Sequence, residues 1–279
     1  MVKFFLSFFL LVSLSLADDY IRESDPLHEK IKSFVDSSVY ENNAEFINII
    51  FSPKSSFYQK DRVNAVKVVE TLKDNGLLKL FFKKPKELNL HFKTAGSPIF
   101  FVKLMGDSLR NIGYYRYVTR ASNLDNSEFT WSISLVSEYA TDPIALQKEL
   151  KKIACKIVDI ERVSSSEWIY TIDMSKAYLN IQPLFKNKKV KLSRSLYAHW
   201  LNCSRVKKLR ITSSARNNWY PYIAYYDNSL HLLKVIKRDK KHRDATFTIP
   251  KNAKYIKISD LYTLKNLKDK LILSPIGSR

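Results

Sequence analysis

Between Glu87 and Ser175 the spacing of hydrophobic positions switches repeatedly between two and three-to-four. Leu88, Leu90 and Phe92 alternate with Asn89, His91 and Lys93, which predicts a strand with one buried face. Behind Ser97-Pro98, the residues Phe101, Leu104, Met105, Leu109 and Ile112 recur at helical spacing until Gly113. Tyr115, Tyr117 and Thr119 open another strand. The cycle then repeats: Phe129, Trp131, Ile133 and Leu135 alternate, and Thr141-Asp142-Pro143 opens a helix carrying Leu146, Leu150 and Ile153. Ile157 to Val163 and Trp168 to Ile172 form a hairpin through Ser164-Ser165-Ser166. Two rounds of strand, helix, strand are the ferredoxin-like split pattern, with two helices on one face of an antiparallel sheet and the last strand added to it.

The flanks read differently. Asp25 before Pro26 is a helix start, and Leu27, Ile31, Phe34 and Val35 share a face. The apolar stretch Ala44 to Phe51 stops at Ser52-Pro53. Val63, Val66, Val69 and Leu72 then keep helical period until Asn75-Gly76 breaks it. Residues 18–84 are thus a helical lead-in to a ferredoxin-like domain over 85–178. Residues 179–195 are basic, lack period and read as a linker. From 196 to 279 short strand-like runs follow at roughly ten-residue spacing, which predicts a jelly-roll-like β-sandwich. The whole is an α+β chain.

Charge sharpens that division. The formal net charge is +20, and residues 180–279 hold nearly all of it, with five aspartates and no glutamate in that stretch. So confined an excess points to a polyanionic partner for the sandwich. Met1 to Ala17 has a basic start at Lys3, an apolar run from Phe4 to Leu14 and a Ser-x-Ala end, the form of a signal peptide cleaved after Ala17. Its apolar part falls short of the roughly 20 residues needed to span a bilayer, so the expectation is a periplasmic protein without a transmembrane anchor. In that compartment the candidates are anionic glycans, peptidoglycan, lipid head groups or an acidic protein face, and nucleic acid is in the wrong place. The pair Cys155 and Cys203 permits one disulfide. Against it, Cys155 takes an apolar helix-end position and Cys203 lies in the other domain.

One local cluster suits carbohydrate: Arg216, Asn217, Asn218, Trp219, Tyr220, Tyr222 and Asp227. Rings stack on the C–H faces of a sugar while Asn and Arg donate to hydroxyl or carboxylate oxygens. The competing assignment makes Trp219 and the tyrosines a plug at the sandwich end, with Asn217 and Asn218 forming a turn. Lys237, Arg238, Lys240, Lys241 and Arg243 form a charge run at a hairpin tip, a candidate polyanion contact whose ordinary meaning is a solvated turn. His91 reads as a solvent-facing strand residue, and His199 and His242 lack ligand partners at useful spacing. Five glycines supply no phosphate-binding loop, and no zinc-hydrolase spacing occurs, so we expect neither a cofactor nor catalysis.

The strings EFINIIFSPKSSF, NGLLKLFFKKPKELNLHF, PIFFVKLMGDSLRNIGYYRYVT and SEYATDP resemble a family of secreted proteins linked to flagellar motility in helically shaped bacteria. The resemblance runs from Ser24 to Leu179 and is looser over the last hundred residues. It implies a location and an envelope or flagellar-motor partner, and carries no residue roles. SSARNNWYPYIAYYDNSLHLL and IPKNAKYIKISDLYTL are similar to galactose-binding-like sandwiches, though no sugar-ligand signature is complete. The expected function is a non-enzymatic periplasmic accessory protein that supports flagellar motility or the envelope around the motor, as a scaffold or binding module. A glycan-binding protein without a motility role is the alternative, and an envelope hydrolase the third.

Overall fold

The computed structural model describes residues 25–125 and 127–279. The signal-peptide assignment lies outside the described residues. The chain is α+β: among the described residues six α-helices and fifteen strands occur, thirteen of the strands in a helix-covered sheet and a pair of facing sheets and two in a small separate hairpin.

The first helix, α1 (Pro26–Phe34), begins where Asp25 Oδ1 accepts from the Leu27 amide at 3.1 Å, satisfying one of the free N–H groups of a helix start. Its face of Leu27, Ile31 and Phe34 is fully buried. Two short helices follow, α2 (Ser37–Asn42) and α3 (Ala44–Ile50), and then a small hairpin of β1 (Tyr58–Gln59) and β2 (Arg62–Val63). α4 (Ala65–Asp74) is capped by Asn64, whose Oδ1 accepts from the Lys67 amide. α1 and α4 do not form a core of their own. Their buried residues share one hydrophobic cluster with the sheet that follows, and Lys30 donates both to Asp159 and to the Ile160 carbonyl.

That sheet begins with β3 (Phe81–Thr94), seven residues earlier than the alternation at Leu88 indicates. Next come α5 (Pro98–Asn111), β4 (Val118–Asp125), β5 (Glu128–Tyr139), α6 (Pro143–Lys151), β6 (Lys156–Ser164) and β7 (Glu167–Asp173). Asp142 caps α6 through the Ile144 amide at 2.9 Å. Strand order is β4-β5-β3-β7-β6. The sheet is therefore not wholly antiparallel: β7 sits between β3 and β6 and runs parallel to β3, with Leu90 opposite Trp168 and Phe92 opposite Tyr170. The insertion has a packing reason. Trp168, Tyr170 and Ile172 are each almost fully buried, and a central position covers such a strand where an edge would not.

The sandwich starts inside the stretch expected to be a linker. β8 (Val190–Leu192) buries Val190 and Leu192 on either side of Lys191, too short a pattern to stand out among lysines. β9 (His199–Asn202), β10 (Val206–Ser213), β11 (Pro221–Tyr226), β12 (Leu232–Lys237), β13 (Asp244–Thr248), β14 (Tyr255–Asp260) and β15 (Leu271–Ser278) complete it. One sheet has the order β13-β10-β15-β8 and the other β12-β11-β14-β9, with antiparallel pairing throughout. Leu209, Ile211, Phe247 and Leu273 of the first meet Ile223, Tyr225, Ile256 and Ile258 of the second in a single core. The two units touch: Tyr255 and Leu230 join the first core, Ser97 Oγ donates to the Ser229 carbonyl, and Lys103 lies 5.5 Å from the Trp200 ring centre.

Both cysteines are buried and free, so they do not pair. Burial pushes each thiol up to about 12. Since only the thiolate alkylates, neither should react with iodoacetamide at mild alkaline pH while the protein is folded, and both should be labelled in denaturant. Intact-mass spectrometry reads this directly, and fast labelling of the native protein would contradict it.

Candidate functional site

The site is built from loops at one end of the sandwich. β10, β12 and β14 all run towards that end, so the connections 214–220, 238–243 and 261–270 emerge there. Register brings in 193–198 as well, because Leu192 pairs with Leu271 and His199 with Ile258. The charge run at 237–243 is not a hairpin tip, as the sequence reading had it. It crosses from β12 at the edge of one sheet to β13 at the edge of the other. Both sheets must close over one core, and this crossing is where the chain passes between them.

Backbone hydrogen bonds lock the loops together. The Ser213 amide donates to the Arg243 carbonyl, His242 to Trp219, Asn218 to Asn266 and Leu261 to Tyr220. Asp260, buried at the end of β14, is the hub. Its Oδ2 accepts from the Tyr220 amide at 2.8 Å, while Oδ1 accepts from the amides of Tyr262 and Thr263 and from Asn266 Nδ2, each at 3.0 Å.

This geometry divides the sugar cluster. Trp219 is 0 % exposed, donates through Nε1 to the Ser259 carbonyl at 3.0 Å and meets Phe247 edge-on. It is a plug and offers no stacking face, because its ring is enclosed within the sandwich core. Asn217 is buried too. Its Oδ1 accepts from the Asp269 amide at 2.7 Å, and its Nδ2 donates to Ser213 Oγ and the carbonyls of Asp269 and Lys270, which leaves nothing for a ligand. Asp227 lies in the β11–β12 turn, holding the amides of Ser229 and His231 and the His231 ring. Burial raises its carboxyl, but the bonds from His231 and Ser229 together outweigh that and leave it below its usual value. Tyr222 lies on the outer sheet face between Lys237 and Lys257. None of these four belongs to the loop surface.

Arg216, Asn218 and Tyr220 remain there, and the structure adds the charge run to them: Lys241 Nζ donates to Asn218 Oδ1 at 2.6 Å. Arg238 is partly spent on the Phe247 ring. Lys240 and Arg243 are exposed, with no ion-pair partner among the described residues. Lys265, Lys268 and Lys270 arrive on the loop 261–270, and of the two acids in the three loops, Asp239 and Asp269, the latter accepts from Ser214 Oγ. Sequence reasoning missed Tyr262, which is 64 % exposed and packs edge-on against Tyr220 at 5.0 Å. Its signal was weak, a single Tyr in a loop forty residues from the cluster it joins.

On the open face of the α/β sheet His91 does not simply face solvent. Its Nδ1 lies 2.8 Å from Ser132 Oγ and its Nε2 3.2 Å from Glu167, on the strands to either side. Each imidazole nitrogen thus reaches a neighbouring strand, and the trio ties β5, β3 and β7 together across the sheet face. Burial lowers the His199 imidazole below its usual value. Among the described residues no group of three or more His, Cys, Asp and Glu is placed to hold a metal ion. No helix among them is long and apolar enough to cross a membrane.

No protein family matches the chain, and no curated protein does. A chain from the crystal structure of accessory secretory protein 1, 2 and 3 in Streptococcus pneumoniae is similar at 15 % identity with a TM-score of 0.22, covering 33 % of this chain and 82 % of that one.

Proposed function

We propose that this protein is an exported, non-enzymatic accessory protein of the bacterial envelope whose basic sandwich end holds an anionic glycan such as peptidoglycan. The observation that carries the reading is the convergence of Arg216, Lys240, Lys241, Arg243 and the lysines of 261–270 on one loop surface beside the exposed Tyr262. Cations and a ring edge together suit a carboxylate-bearing sugar. The α/β unit then serves as scaffold and meets an envelope or flagellar-motor protein, the role the sequence resemblance implies. Its strand–helix–strand repeats support a ferredoxin-like ancestry with β7 inserted. The sandwich order, first-eighth-third-sixth strand against second-seventh-fourth-fifth, is that of two interlocked Greek keys and supports a jelly roll.

The test is sedimentation with purified peptidoglycan. Reversing Arg216, Lys240, Lys241 and Arg243 to Glu should cut retention by at least about tenfold, and wild-type retention should fall as salt rises. These side chains are exposed, so the variant should melt as wild type does. Undiminished retention of the folded variant removes the glycan reading, and wild-type motility after gene deletion removes the motor role alone.

A further inference from the structure

The helical lead-in and the edge of the α/β sheet enclose a cleft that glycan binding does not use. α1 ends at Phe34, where Val35 turns extended, and α2 starts at Ser37. A carbonyl in the last turn of a helix has no partner inside that helix, and Arg162 on the edge strand β6 supplies one, donating through Nη1 to the Phe34 carbonyl at 2.9 Å. From the other side, Gly76 turns the chain after α4 at φ 74°, a left-handed conformation that suits glycine. The amides of Leu77 and Leu78 then both return to the Leu72 carbonyl. Between these elements lies a cavity of about 480 Å³, whose apolar walls are Phe34, Val35, Val39, Phe46, Leu77 and Leu78.

The guanidinium in this lining is only half used. Its Nη1 also lies 3.4 Å from Asp36 Oδ1, a long contact to a carboxylate whose side chain is 75 % exposed and well screened by water. Nε is buried with no hydrogen-bond partner among the described residues, and Nη2 has none either. A buried charged donor left unpaired is destabilising, and Nε with Nη2 is the edge of arginine that matches the two oxygens of a carboxylate. Lys79 is exposed in the same lining and has no ion-pair partner among the described residues. Asn43 and Asn75, also there, donate Nδ2 to the carbonyls of Val39 and Thr71, so recognition of an anionic head falls to the two cations. Among the described residues Asp36 is the single acid of the lining.

We propose that this cleft binds a small monocarboxylic acid with an apolar tail, of the medium-chain fatty acid class. The carboxylate takes Nη2 and, with a slight turn of the guanidinium, Nε, while Lys79 faces it from the rim and the tail lies along the apolar walls. The volume falls within the roughly 300–1,000 Å³ of small-ligand pockets, and apolar walls with a few convergent polar groups are their usual lining. The charges and walls select this class. A phosphate would bring a second negative charge beside Asp36, and a neutral apolar ligand would leave the buried guanidinium edge unpaired. A sugar would set hydroxyls against six hydrocarbon side chains.

Calorimetric titration of the full chain with decanoate, kept below its micelle concentration, tests it. Decanoate should saturate one site per chain. Decanol, with the tail and no charge, and acetate, with the head and no tail, should each bind at least about tenfold more weakly. Arg162→Lys keeps the charge but loses the fork, and should weaken decanoate binding at least about tenfold. Because Arg162 also ties down the Phe34 carbonyl, two changes at exposed side chains stand beside it: Lys79→Glu and Phe46→Asp should each weaken binding and melt as wild type does. Reversing Lys240, Lys241 and Arg243 to Glu should leave decanoate binding intact. The proposal falls if decanoate does not saturate, if decanol binds as well as decanoate, or if the folded cleft variants bind undiminished. It falls too if the sandwich-end variant loses decanoate binding, since the attraction is then to positive charge in general.

Discussion

Trp219→Ala should destabilise the protein by about 3–5 kcal/mol, the range for truncating a fully buried aromatic ring. The indole fills the end of the sandwich core against Phe247, and its Nε1–H satisfies the Ser259 carbonyl on β14. Alanine leaves a cavity and an unpaired acceptor together, and the loops above cannot collapse into the gap because the Trp219 carbonyl is itself bonded to the His242 amide. Trp219→Phe retains most of the volume and loses only the donor, so its cost should be nearer 1–2 kcal/mol. Urea unfolding followed by far-ultraviolet circular dichroism gives both values. If Trp219 were a sugar-stacking ring, alanine would instead spare stability and remove glycan binding. The two roles thus predict opposite pairs of results.

That contrast shows what the sequence could and could not convey. Alternation at Leu88 to Phe92, helical period from Phe101 to Leu109 and the two Asp-Pro starts are local signals, and the strands and helices appear where they indicate. The position of β7 depends on partners seventy-odd residues away, and no local pattern distinguishes a strand added at an edge from one inserted beside β3. The site failed in the same manner. Aromatic and amide residues in a row looked like a ligand cluster, yet the tight loop turns Trp219 and Asn217 inward while Tyr222, on β11, lies on the outer sheet face. Tyr262 reaches Tyr220 only through the third dimension. Charge transferred best, because long exposed side chains report their surface whatever the backbone does.

Asp260→Asn should cost about 2–3 kcal/mol, more than the loss of a typical hydrogen bond, since a charged acceptor is replaced and a donor is turned against a donor. Asparagine can keep its oxygen on the amides of Tyr262 and Thr263. Its NH2 must then face the Tyr220 amide, where the carboxylate had accepted at 2.8 Å. Flipping the amide satisfies Tyr220 and sets the NH2 against three donors, which is worse. Asp260→Ala leaves all four donors without that acceptor and should destabilise further. Both changes also loosen the tie between the loops 214–220 and 261–270, so Tyr262 and the lysines beside it lose their fixed places. A folded fraction of Asp260→Asn, held at low temperature, should therefore retain the positive charge of the surface and still bind peptidoglycan less tightly than wild type. Equal affinity after correction for the folded fraction would mean that charge alone, without the ordered loop surface, accounts for the binding.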